Sequence, residues 1–83
     1  MTLKVFSVFD EKGAVFSNPF YLSHNGMALR SFADLAGDKG TIVNKHPSDY
    51  KLYCLGSFDD VTGRFISLDV PEFLANASDY TEA

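Results

Sequence analysis

The 83 residues are 46% hydrophobic and 14% aromatic, with eight Phe, which is material for one small folded domain and excludes both two domains and a disordered chain. The net charge of −4 sits in the C-terminal third: residues 1–58 hold six Lys/Arg against five Asp/Glu, whereas residues 59–83 hold Arg64 against Asp59, Asp60, Asp69, Glu72, Asp79 and Glu82. That balance argues against a protein that grips nucleic acid mainly through phosphates, because such affinity comes from cations displacing counterions.

Two stretches, FDEKGAVF at 9–16 and FDDVTGRF at 58–65, have the form of acidic, glycine-punctuated hairpin turns. LKVFSVFD (3–10) is rich in β-branched and aromatic residues and stops at Asp10-Glu11-Lys12-Gly13, where Gly is expected in the left-handed position of a short hairpin. AVF starts the returning strand, Asn18-Pro19 interrupts it because Pro has no N–H for a ladder, and FYLS continues as a bulged or edge strand.

Ser23 or Asn25 is placed to cap a helix over 25–36, with Met27, Ala28, Phe32, Leu35 and Ala36 on its apolar stripe and Gly37 as its stop. The connector DKGTIVNKHPSDY reads as turn-prone, with room for a single helical turn at Ile42-Val43. In YKLYCLGSF (50–58), alternation sets Leu52, Cys54, Gly56 and Phe58 on one face and Lys51, Tyr53, Leu55 and Ser57 on the other. Asp60-Val61-Thr62-Gly63 then closes a type I turn with Gly63 at a bulge, and RFISLDV returns until Pro71. Phe73, Leu74 and Ala77 offer a last anchor before a polar tail, expected to be disordered over about 78–83. The elements predict one α+β domain spanning 1–83, an antiparallel sheet of four or five strands from two hairpins flanking one amphipathic helix.

Catalytic signatures are missing from the sequence: it has no nucleophile elbow, P-loop, dinucleotide fingerprint, HExxH or kinase motif, and an enzyme is not expected. Lys45, His46 and Asp49 have the residue types of an acid/base cluster, but Lys-His-Pro-Ser-Asp is read here as a solvated turn capping the next element. Cys54, the one cysteine, cannot make an internal disulfide, has no Cys or His at zinc-ligand spacing, and reads as a buried small hydrophobe in an intracellular protein; no cofactor or metal is expected. The opening residues have no signal-peptide run, and no window approaches the ~18 apolar residues of a membrane span.

Aromatic and basic residues do share segments. Tyr50, Lys51 and Tyr53 lie on or beside one strand, Lys45 and His46 precede it, Arg64 lies on the opposing strand, and Lys4 and Phe6 share a face of the first. Single-stranded nucleic acids are held in this way, bases stacking on rings while cations track the backbone. The candidate nucleic-acid contacts are therefore Lys45, His46, Lys51, Tyr53 and Arg64. Tyr and Phe on a strand also serve as core or dimer interface, and a chain this short has reason to bury surface against a second copy, so a homodimer is expected.

The ordered set Pro19-Phe20, Ala28 to Leu35, Lys45-His46-Pro47 with Asp49, Tyr50, Leu52 and Tyr53, then Gly56, Phe58, Asp59, Thr62 and Gly63, and finally Pro71, Leu74, Ala75 and Asn76 resembles the small non-structural protein of gokushoviruses, microviruses with single-stranded DNA genomes. The resemblance implies a phage-encoded protein of the host cytoplasm, absent from the virion, described as DNA-binding and assigned to genome replication. It carries over no catalytic residues. Two functions follow as expectations: an accessory that binds single-stranded DNA, or a dimeric module that recruits or blocks a phage or host replication protein without touching DNA.

Overall fold

The computed structural model describes residues 1–81. Five strands, β1 (Thr2–Asp10), β2 (Val15–Phe16), β3 (Phe20–Leu22), β4 (Tyr50–Asp59) and β5 (Arg64–Asn76), form one antiparallel sheet in the order β2-β1-β4-β5, with β3 also on β1. The main helix, α1 (Asn25–Gly37), and a single turn, α2 (Ile42–Lys45), cover one face. Short 3-10 turns at Pro47–Asp49 and Ala77–Tyr80 lead into β4 and follow β5. This is the α+β architecture expected from two hairpins and one amphipathic helix.

The core lies between α1 and the sheet. Phe6, Leu52, Cys54 and Ala75 from the strands meet Ala28, Phe32 and Ala36, which recur every four residues along α1, with Val43 of α2 closing one end. Burying a ring such as Phe6 or Phe32 contributes about 2 to 3 kcal/mol, which is large for so small a core. Met27, expected on the stripe, is exposed; Leu29 packs against the core instead. The helix cap also differs from expectation: His24, not Ser23 or Asn25, is the N-cap, its Nδ1 accepting the Met27 N–H at 3.3 Å. The Asn25 side chain accepts from Lys4 Nζ at 3.1 Å. Gly37 remains helical, and the Asp38 N–H closes the end on the Leu35 carbonyl at 3.2 Å.

Each hairpin turn is held by its first aspartate. Asp10 Oδ1 accepts from the N–H groups of Lys12 and Gly13, and Asp59 Oδ1 from those of Val61 and Thr62. Gly63 takes the positive φ expected of it, 74°, but in the first turn the left-handed residue is Ala14 (φ 53°), not Gly13. Asn18-Pro19 does split the returning strand, and Ser17 bridges the gap: its N–H donates to Val8 O at 2.8 Å and its Oγ accepts from Val8 N at 3.0 Å. The fully buried Ser7 hydroxyl is satisfied there too, donating to Ser17 O at 2.7 Å.

The middle of β4 breaks the alternation. Val5 pairs with Gly56 and Phe6 with Cys54, so Leu55 is an extra residue and every side chain beyond it changes face. On the other side of β4, Cys54 pairs with Glu72 and Gly56 with Ser67, which sets four residues, Leu68 to Pro71, against Leu55 alone. Gly56 has φ 156°, and a Cβ there would lie 2.1 Å from the Ile66 carbonyl oxygen, so only glycine fits this double bulge. Pro71 does not end the strand as expected; it sits in the bulge, and β5 runs on to Asn76. Of the tail expected to be disordered over about 78–83, Ser78–Tyr80 complete a 3-10 turn that begins at the fully buried anchor residue Ala77, Tyr80 lies edge-on to Phe32 at 6.3 Å, and residues 82–83 lie outside the described residues.

Candidate nucleic-acid interface

The face of the sheet turned away from α1 carries aromatic rings along its length. Phe20 stacks on Phe6 in the core, so its neighbour Tyr21 points to the open side, where it meets Phe58 and Phe65 at centroid distances of 5.8 and 6.4 Å. Phe58 and Phe65, a cross-strand pair, are 4.8 Å apart. Toward the other end, Phe9 and Phe16 are 4.7 Å apart, Tyr53 lies edge-on to both, and Phe73, paired with Tyr53, lies 5.8 Å from it. Val5 separates the two groups on β1, and a depression of about 190 Å³ opens beside it, walled by Tyr21, Leu55 and Phe65.

Of the residues singled out from the sequence, Tyr53 lies at the centre of the four-ring group. Lys51 shares its face, opposite Phe9 in the ladder, but its Nζ is held by Glu11 at 2.7 Å. Arg64 is at the far end of the hairpin, opposite Asp59, eight positions along β4 from Lys51; at ~3.3 Å per residue that is about 26 Å. Lys45 and His46 belong to the helical layer: Lys45 ends α2, and the His46 carbonyl accepts from the Asp49 N–H at 3.0 Å as the turn into β4 begins. Lys4 and Phe6 also face the helix side, Phe6 fully buried. The structure thus brings Tyr53 and Lys51 together and separates them from Arg64, Lys45 and His46.

Phe9, Phe16, Tyr21, Phe58, Phe65 and Phe73 were not among the residues singled out. Alternation along 3–10 and the pairing of the two turn-flanking aromatics were available signals for Phe9, Phe16, Phe58 and Phe65. Strict alternation through Leu55 places Phe58 on the Leu52 and Cys54 face; the bulge returns it to the face of Tyr53.

A second concavity, of about 460 Å³, lies on the helix side between β1, β2 and α2, with Val8, Val15, Phe20, Leu35, Ile42 and Val43 among its walls. Its polar groups include Asp10 and Tyr50, whose hydroxyl is pushed above the ordinary phenol range first by burial and then by the charges of Asp10 and Asp49. Cys54 is buried in the core, and no helix among the described residues is long and apolar enough to cross a membrane.

No curated protein and no solved structure matches the chain. A family model described as the phage ORF5 protein does match, over residues 3–80, nearly the whole length, and the chain belongs to that phage protein family.

Proposed function

We propose that this phage protein binds single-stranded DNA on the open face of its sheet, as an accessory to replication or packaging of a single-stranded DNA genome in the host cytoplasm. The observation that carries this reading is the pair of ring groups on a face that no helix among the described residues covers. An antiparallel sheet with one solvated face ordinarily carries polar residues there. Seven aromatic rings in their place form a platform for unstacked bases, each stacked base contributing about 1 to 3 kcal/mol without regard to sequence. The gokushovirus resemblance supplies the biological context.

The same geometry changes the expected mode of binding. The cation beside the four-ring group is Lys51, already paired with Glu11, while Arg64, Lys45 and His46 stand away from it. Stacking, not phosphate neutralisation, then carries the affinity, and the salt dependence is shallow, with a log–log slope of about 1 to 2. The test is fluorescence anisotropy of a labelled 20-base single strand, wild type against Tyr53→Ala, across a series of salt concentrations. Micromolar binding that falls little with salt and is weakened by about 1 to 3 kcal/mol in the variant supports the reading. No binding at low salt sinks it and leaves the ring face to a protein partner, the alternative in which the chain recruits or blocks a replication protein.

A further inference from the structure

We infer that two copies of this chain associate through β5, pairing antiparallel about a two-fold axis at Leu68. β5 is an edge strand, and its residues from Arg64 to Phe73 are exposed without a break, with Phe65 at 62%, Ile66 at 64% and Val70 at 76%. In β4, by contrast, no residue is exposed. The stretch Leu68 to Pro71 has no pairing partners in β4 beyond the single Leu55 it faces. A long apolar strand with a free edge is a template for another strand. The opposite edge is not, since β2 and β3 together comprise five residues split by Ser17-Asn18-Pro19.

Charge identifies the occupant as a second β5. In an antiparallel pair, residues that face each other project from the same side of the sheet, so two copies can meet only at an even separation. Arg64 is the single cation of β5, and both Arg64 and Glu72, eight positions apart, project to the helix side, opposite Asp59 and Cys54. One register sets each Arg64 against Glu72 of the other copy, and its axis falls on Leu68. In that register Ile66 faces Val70, Phe65 faces Pro71 and Asp69 faces Ser67, so no like charges oppose one another along the seam. The two open faces then lie side by side, but the association itself requires no DNA.

The experiment is sedimentation equilibrium of the full chain without nucleic acid, from low micromolar to about 100 μM, with circular dichroism to verify folding. Twice the chain mass is expected for the wild type. Arg64→Glu and Glu72→Arg should each weaken self-association roughly tenfold or more, because each places two like-charged pairs in one dimer, and the double variant should restore it. Val70→Lys should also give a folded monomer. A wild-type monomer at every concentration, a dimer indifferent to the single swaps, or a double variant that stays monomeric would overturn the assignment. DNA binding is read separately, by anisotropy, so either idea can fail alone.

Discussion

The helix-covered face and the open face of the sheet use the same kinds of residue for different ends. Phe6, Leu52 and Cys54 on the covered side are sealed by Phe32 and the alanines of α1, so their apolar surface stabilises the fold. Tyr53, Phe16, Phe73, Phe58 and Phe65 on the open side touch one another but keep solvent on their outer surfaces. Ring–ring contact recovers part of their burial, yet polar residues would serve a solvated face at less cost in solubility. An exposed aromatic surface of this extent is the ground on which a binding role is proposed for this face. Hydrophobic content does not by itself distinguish the packed core from the open face; what the helix covers does.

Breaking the covered face should have the largest effects. Phe32→Ala removes a ring that is 1% exposed and is expected to cost about 3 to 5 kcal/mol, enough to unfold much of a domain this size in a urea titration. Gly56→Ala acts between the faces: the added Cβ meets the Ile66 carbonyl, and either the bulge opens or β5 shifts. A loss of at least about 2 kcal/mol is expected, together with altered amide chemical shifts on both β4 and β5. If that variant folds with wild-type stability, the bulge is not what sets the ring pattern.

The hairpins, the helix and its buried Ala28, Phe32 and Ala36 were legible because each rests on local rules: Asp and Gly at turns, Pro19 as an interruption, apolar residues at helical spacing. The His24 cap was not legible, since Ser and Asn are the stronger capping residues and both were adjacent. The open face was legible only in part, through Tyr53 and Lys51. The rest depended on the extra residue at Leu55, and a bulge that reverses side-chain parity leaves little trace in a strand beyond a glycine. Pro71 misled for a related reason: a proline ends a regular strand but is at home in a bulge. The distances separating Arg64, Lys45 and His46 from Lys51 come from register and layer, which a segment's own residues do not specify.

The open face supplies effects of intermediate size. Tyr53→Ala and Phe16→Ala should each weaken single-strand binding by about 1 to 3 kcal/mol, with much smaller changes in the unfolding midpoint than Phe32→Ala produces. Lys51→Gln, which frees Glu11 as it removes the cation, should weaken binding less than Tyr53→Ala and flatten the salt dependence further. If Lys51 instead proves to dominate, the face works as an electrostatic surface and the contrast with the covered side loses its functional meaning.

The smallest expected effect lies where the two faces meet, at the β4–β5 turn. The Val61 N–H, and behind it that of Thr62, hold the Asp59 carboxyl below the ordinary aspartate range. The folded state therefore favours the ionised form, and the turn's stabilisation is complete above the ordinary aspartate pKa. As pH falls through the lowered folded value, protonation removes it. Asp59→Ala should lower the thermal midpoint modestly at neutral pH and flatten its decline on the acid side. Because Asp59 stands opposite Arg64 while its neighbour Phe58 carries the open-face ring, loosening this turn should unsettle the Phe58–Phe65 pair before the Tyr53 group. Aromatic side-chain resonances followed from neutral to acid pH would show that order, and simultaneous loss of both groups would mean that the sheet responds as one unit.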